Sequence, residues 1–201
     1  MKFICVGRNY AAHAQELGNA VPAEPLLFIK PDTARLWGEV FHLPAFAKEI
    51  HFECELVVQV KAPLKNASIE QAAEALHAVS LGLDFTARDV QDELKAQGLP
   101  WEKAKAFDGS ALVSTEALPA KADEHFNFSL HVNGKQRQSG DSRLMLTPIP
   151  ALLAYASRYF TILPEDYVFT GTPAGVGALH VGDVLEGFLG SQRFFKVEVA
   201  A

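Results

Sequence analysis

The sequence predicts a mixed α/β fold with a β-rich body and a few helices. Three observations carry that reading: short apolar, β-branched runs recur along the chain, helical stretches are few, and strand-like runs alternate with Gly turns from Tyr167 onward. Phe3–Val6 reads as a buried strand, followed by a helical stretch from Tyr10 to Leu17 that Gly18 ends. Leu26–Ile29 is an apolar run closed by Lys30-Pro31, and Glu53–Val60 is a β-branched strand. Ser68-Ile69-Glu70-Gln71 fits a capping box, opening a helix expected to run to about Val79. Leu81–Leu83 is a strand candidate, and Thr86–Gln97 a helix that stops at Gly98. Phe126, Phe128, Leu130 and Val132 alternate with polar residues, and Asn133-Gly134 then signals a hairpin. Ile149–Tyr159 is helical, with Pro148 and Pro150 near its start. Tyr167–Thr170, Val184–Phe188 and Phe194–Val199 complete the strands.

At roughly 100–200 residues per domain, 201 residues without a repeat or a flexible linker read as one unit spanning 1–201. Acidic residues number 24 against 18 basic ones, a net charge of −6. That balance argues against a nucleic-acid partner, which needs a basic face. It does not exclude an anionic small-molecule substrate, because a bound metal ion reverses local charge. Two cysteines, Cys5 and Cys54, are too few for a disulfide framework or a thiolate cage. The N-terminus lacks a secretory signal and no stretch approaches a membrane span, so the expectation is a soluble cytoplasmic protein.

Four features could carry chemistry. In Glu53-Cys54-Glu55, residues i and i+2 of a strand share a face, and two carboxylates that close call for a cation between them. A solvated edge strand is the ordinary explanation of an E-x-E, but Leu56, Val57, Val58 and Val60 give this one an interior character. Asp84, ending the run Leu81-Gly82-Leu83, supplies a third oxygen ligand; taken singly it reads as a helix N-cap. Three carboxylates without His or Cys favour Mg²⁺, Mn²⁺ or Ca²⁺ over Zn²⁺. His13 and Glu16 share a helix face at i, i+3, where the carboxylate could orient a general base, or form only a surface pair. Lys105, among small and aromatic residues, could face a developing oxyanion or simply solvent. The Gly-rich loop Thr170–Gly177 lacks a P-loop pattern, yet its free N–H groups could hold a carboxylate.

Taken in order, Cys5-Val6-Gly7-Arg8-Asn9-Tyr10-Ala11-Ala12-His13, Glu24–Pro31, Glu53-Cys54-Glu55-Leu56, Leu83–Gln91, Gly98–Trp101, Lys103–Asp108, Asn133-Gly134, Arg137-Gln138 and Thr170–Pro173 resemble the fumarylacetoacetate hydrolase family, in its small acylpyruvase and oxaloacetate decarboxylase-like branch. The resemblance covers nearly the whole chain. It implies a β-sandwich roll, usually a homodimer, with a metal triad falling on Glu53, Glu55 and Asp84 and binding Mg²⁺ or Mn²⁺. It further implies a His13–Glu16 dyad in an N-terminal segment, within residues 1–20, that can close as a lid. The family's active-site lysine falls on Lys105, and Gln91 and Thr172 match positions that contact the keto-acid end of the substrate. Phe52 stands where relatives often carry a second His before the E-x-E. The activity so implied is hydrolytic cleavage of acylpyruvates, decarboxylation of oxaloacetate, or both, through a pyruvate enolate. Oxaloacetate keto–enol tautomerisation and isomerisation of hydroxy-dienedioates are the enzymatic alternatives, and a lapsed metal- or keto-acid-binding protein is the non-enzymatic one.

Overall fold

A computed structural model of the chain describes residues 1–18 and 20–201, so Asn19, within the expected lid segment, lies outside the described residues. Two mixed sheets and a small third one make up the body. In the seven-stranded sheet the path runs Leu26–Pro31, Lys2–Gly7, Tyr167–Phe169, Cys54–Val60, Leu76–Asp84, Ala111–Val113, with Leu118–Pro119 paired to Leu76–Asp84 off that path. The five-stranded sheet runs Lys135–Asp141, Asn127–Val132, Val184–Leu189, Gln192–Ala200, Val40–His42. This is the β-rich mixed fold that the apolar runs predict.

The Cys54–Val60 strand shows why the runs are continuous rather than alternating. Leu56 and Val58 belong to the main core with Leu130, Leu185 and Val197 of the other sheet, while Val57 points the opposite way, into a cluster with Phe3, Cys5 and Phe169. A strand covered on both faces has no solvent side to mark with polar residues. The Asn133-Gly134 hairpin forms as expected, with φ of 52° and 74° at the two turn residues, as a type I′ turn requires.

One helix ends earlier than the capping pattern suggests. Ser68 and Gln71 form the reciprocal box, but the helix covers only Ile69–Ala75. Residues Leu76–Asp84 instead form a nine-residue strand along Cys54–Val60. Leu76 and Val79 fit either periodicity, and the long ladder buries them where a further helical turn could not. Likewise Thr86–Ala87 pairs with Ile50–His51, so the next helix is Arg88–Ala96. Among the described residues no helix is long and apolar enough to cross a membrane.

Two crossovers prepare the site. The chain leaves the small sheet at Ile50–Phe52 and enters the large one at Cys54, placing Glu53 at the junction. The return path leaves the large sheet at Asp84 and rejoins the small one at Thr86. The Asp84 N–H donates to the Glu53 carbonyl (2.9 Å), locking the junctions together.

Candidate active site

Glu53, Glu55 and Asp84 are all buried, and each offers an oxygen within 4.8 Å of the others'. Three buried cations face them. Lys105 Nζ donates to Glu53 Oε2 (2.8 Å), Asp84 Oδ2 (2.6 Å) and Thr86 Oγ1 (2.6 Å). Arg88 pairs with Glu53 Oε1 and also donates to Gln91 Oε1 (2.6 Å). Lys30, fully buried, donates to the Ser110 carbonyl (2.6 Å) and lies 2.5 Å from Asp84 Oδ1, outside hydrogen-bond angles. Burying three carboxylates without such partners would cost several kcal/mol each.

The three acids do not share one electrostatic fate. Burial would raise the Glu53 carboxyl, but Lys105 and Arg88 outweigh it and hold it well below the usual carboxylate range. Burial, reinforced by the charges of Asp84 and Glu53, pushes Glu55 well above that range, against one N–H donated by Gly171 (2.6 Å). Burial opposes the charge on Lys105, yet Asp84 and Glu53 raise it, so the ammonium stays protonated. Glu55 makes no ion pair among the described residues and is protonation-prone, and Asp84 Oδ1, although beside the Lys30 ammonium, makes no hydrogen bond, so both oxygens are open to a further ligand. That donor set, all hard oxygen, fits a divalent cation.

His13 lines the same cavity, carried there by the short helix Ala11–Glu16. Its Nδ1 lies 3.4 Å from Glu16 Oε2. Glu16 in turn accepts the Gly175 N–H (3.0 Å), which ties the helix to the Gly-rich loop. Burial lowers the His13 pKa below its ordinary value, with Glu53 and Glu16 opposing in part, so the imidazole is neutral. The loop thus does hold carboxylates: Gly171 takes Glu55, and Gly175 takes Glu16.

Gln91 and Thr172 also line the cavity. The Thr172 hydroxyl donates to the Cys54 carbonyl (2.8 Å) and accepts from Gln138 Nε2 (2.8 Å), while Gln138 Oε1 accepts the Cys54 N–H (2.9 Å). This clasp fixes the residue between the two glutamates. Cys5 and Cys54 are buried thiols pushed well above their ordinary pKa by burial, and neither is a thiolate nucleophile. Seven of the eight residues singled out from sequence therefore line one cavity, and Glu16 stands behind the seventh, His13. Sequence reasoning assigned no role to Lys30, Arg88, Arg8, Lys95 or Gln138. Lys30 was visible as the charge that closes an apolar run, and Arg88 as the residue one turn before Gln91.

The profile of the fumarylacetoacetate (FAA) hydrolase C-terminal family matches residues 2–195. The chain belongs to the fumarylacetoacetate hydrolase family. It is 45% identical to the oxaloacetate tautomerase YcgM of Escherichia coli, over 92% of this chain and 86% of that one. It is 40% identical to the human mitochondrial oxaloacetate tautomerase FAHD1, over 97% of this chain and 90% of that one. Among solved structures, fumarylpyruvate hydrolase from Pseudomonas aeruginosa, in complex with Mn²⁺ and pyruvate, superposes with a TM-score of 0.90 at 35% identity, covering 100% of this chain and 89% of that one. The family's fold is the β-rich mixed fold described above, and its members named here are enzymes of keto-acid chemistry.

Proposed function

We propose that this chain is a divalent-metal-dependent oxaloacetate keto–enol tautomerase. The observation that carries the reading is the meeting, in one cavity, of a buried three-carboxylate cluster with a neutral histidine and a protonated lysine. The tautomerase relatives at 40–45% identity favour it over acylpyruvate hydrolysis and oxaloacetate decarboxylation, the first expectations from sequence. Glu53, Glu55 and Asp84 would hold the cation, Mg²⁺ or Mn²⁺; bound there, it supplies Lewis-acid polarisation and offsets the charge of an anionic keto acid.

The protein's own groups divide the proton work. His13 takes the proton from C3 of the keto form as its electron pair moves onto the C2 oxygen, and returns a proton to C3 in the reverse direction. Glu16 orients the ring through Nδ1 and steadies the imidazolium. Lys105 stabilises the negative charge that builds on the C2 oxygen; the enolate oxygen then takes a proton from water to give the enol, and His13 releases the C3 proton to water, which restores the neutral imidazole. Gln91 and Thr172 border the end of the cavity where the keto acid's 1-carboxylate is held.

A second reading, C–C hydrolysis of acylpyruvates, is favoured by the P. aeruginosa relative and uses the same groups, with His13 deprotonating a water instead. The test is decay of the enol absorbance of oxaloacetate with Mg²⁺ or Mn²⁺, run beside acetylpyruvate and fumarylpyruvate. Metal-dependent acceleration, abolished by chelator, is the expected result. Acylpyruvate cleavage without tautomerase acceleration transfers the assignment to the second reading, and inactivity on all three sinks both.

A further inference from the structure

Four cations line the cavity, and they fall into two groups. Arg88 and Lys105 are spent on Glu53 and Asp84. Arg8 and Lys95 are not matched in this way. The Arg8 side chain makes no hydrogen bond or ion pair among the described residues, and its backbone holds φ 60°, a conformation sparsely populated outside glycine. Strain of that kind clusters at ligand sites. Among the described residues, Lys95, on the helix Arg88–Ala96, pairs with Asp92 alone, at 3.6 Å, and that carboxylate is 64% exposed. Its ammonium also lies 5.6 Å from the Trp101 ring. Burial, then the charge of Arg88, holds Lys95 below its ordinary pKa; Asp92 opposes and Arg8 adds to the lowering. This stretch of wall therefore carries two cations, and among the described residues the one carboxylate paired with them is the solvent-exposed Asp92.

We propose that Arg8 and Lys95 form a clamp for a second carboxylate, which selects four-carbon keto diacids over keto monoacids. The inference rests on the keto-acid reading above and specifies its substrate class. In that reading the 1-carboxylate and 2-keto oxygen of the substrate are accounted for by the cation the triad would hold, by Lys105 and by the Gln91–Thr172 end of the cavity. The far end of a diacid stays ionised, and entering a half-buried cavity it needs cations not already engaged. A monoacid would bring no anion to Arg8, and would leave Lys95 with the exposed Asp92 as its partner. The competing direction is the apolar groove of Leu26, Leu27, Ile29, Leu99 and Pro100, which adjoins the cavity at Phe28 and Trp101 and would suit an aliphatic tail.

The discriminating pair is oxaloacetate and 2-oxobutyrate, which share a four-carbon chain and differ by carboxylate against methyl. On Mn²⁺-loaded protein, Lys95→Met should raise the KM for oxaloacetate about 10- to 100-fold relative to the inhibition constant for 2-oxobutyrate, the range expected for a charge-assisted hydrogen bond. Lys95→Arg should recover most of the loss. Circular dichroism melting of both variants separates this from misfolding. Equal shifts for the two ligands overturn the clamp, as does tighter binding of 2-oxooctanoate than of oxaloacetate. If oxaloacetate is not turned over at all, the functional reading fails by itself; calorimetric titration with the same two ligands then still decides the clamp.

Discussion

At the scale of single residues, the site works by making ordinary groups behave unlike their free forms. Burial keeps His13 neutral below the ordinary histidine value of about 6.5. A depressed pKa extends the base form toward acid, so the acid limb of kcat/KM should lie below pH 6.5; a limb above it would contradict the geometry. His13→Ala should cost roughly 10²- to 10⁴-fold in kcat, the usual contribution of a positioned base, while calorimetric Mn²⁺ affinity stays within a few-fold. Lys30 plays a different part, because it touches Asp84 from beneath and does not line the cavity. Lys30→Met leaves a buried carboxylate short of a partner, and should destabilise the metal-free protein by about 3–5 kcal/mol in urea unfolding. Excess Mn²⁺ should recover part of that loss, since both cations answer the same charge.

At the scale of elements, the strand junctions and the Gly-rich loop do the positioning. Gly171 has φ 98°, and a Cβ there would come within 2.6 Å of Asn9 Cβ. Asn9 cannot yield, because its side chain bridges the Thr170 carbonyl (2.8 Å) and both backbone groups of Thr147. Gly171→Ala should therefore lose about 1–3 kcal/mol of stability by overpacking, and should also weaken Mn²⁺ binding by displacing the N–H that holds Glu55. Calorimetry and denaturation on one sample would show both effects or refute the coupling. The same elements show what sequence could and could not reveal. The E-x-E, the hairpin, the capping box and the helix from Ile149 are local signals, and all were legible. The early end of the Ile69–Ala75 helix was not, because Leu76 and Val79 satisfy both periodicities and only the partner strand decides between them. Lys30 and Arg88 were visible as residues but not as partners, since their acids lie 54 and 35 positions away in sequence.

At the scale of the whole molecule, the acidic balance of −6 conceals a site in which three buried carboxylates meet three buried cations. Near-neutrality of that cluster has a thermodynamic consequence. A divalent ion entering it makes the cavity net positive, which suits a dianionic keto acid, and it must first displace the proton that burial favours on Glu55. Metal binding should accordingly release a proton and weaken as pH falls, because a raised carboxyl pKa keeps the competing protonated form populated at higher pH. Binding to the folded state alone contributes about 2.7 kcal/mol at a hundredfold excess over Kd. At roughly 2–4 °C per kcal/mol for a chain of this length, Mn²⁺ should raise Tm by about 5–10 °C at pH 8. The increment should shrink at pH 5.5 and vanish in Glu53→Gln at either pH. An equal increment at both pH values would place the ion away from Glu55, and an increment that survives in Glu53→Gln would place it outside the triad.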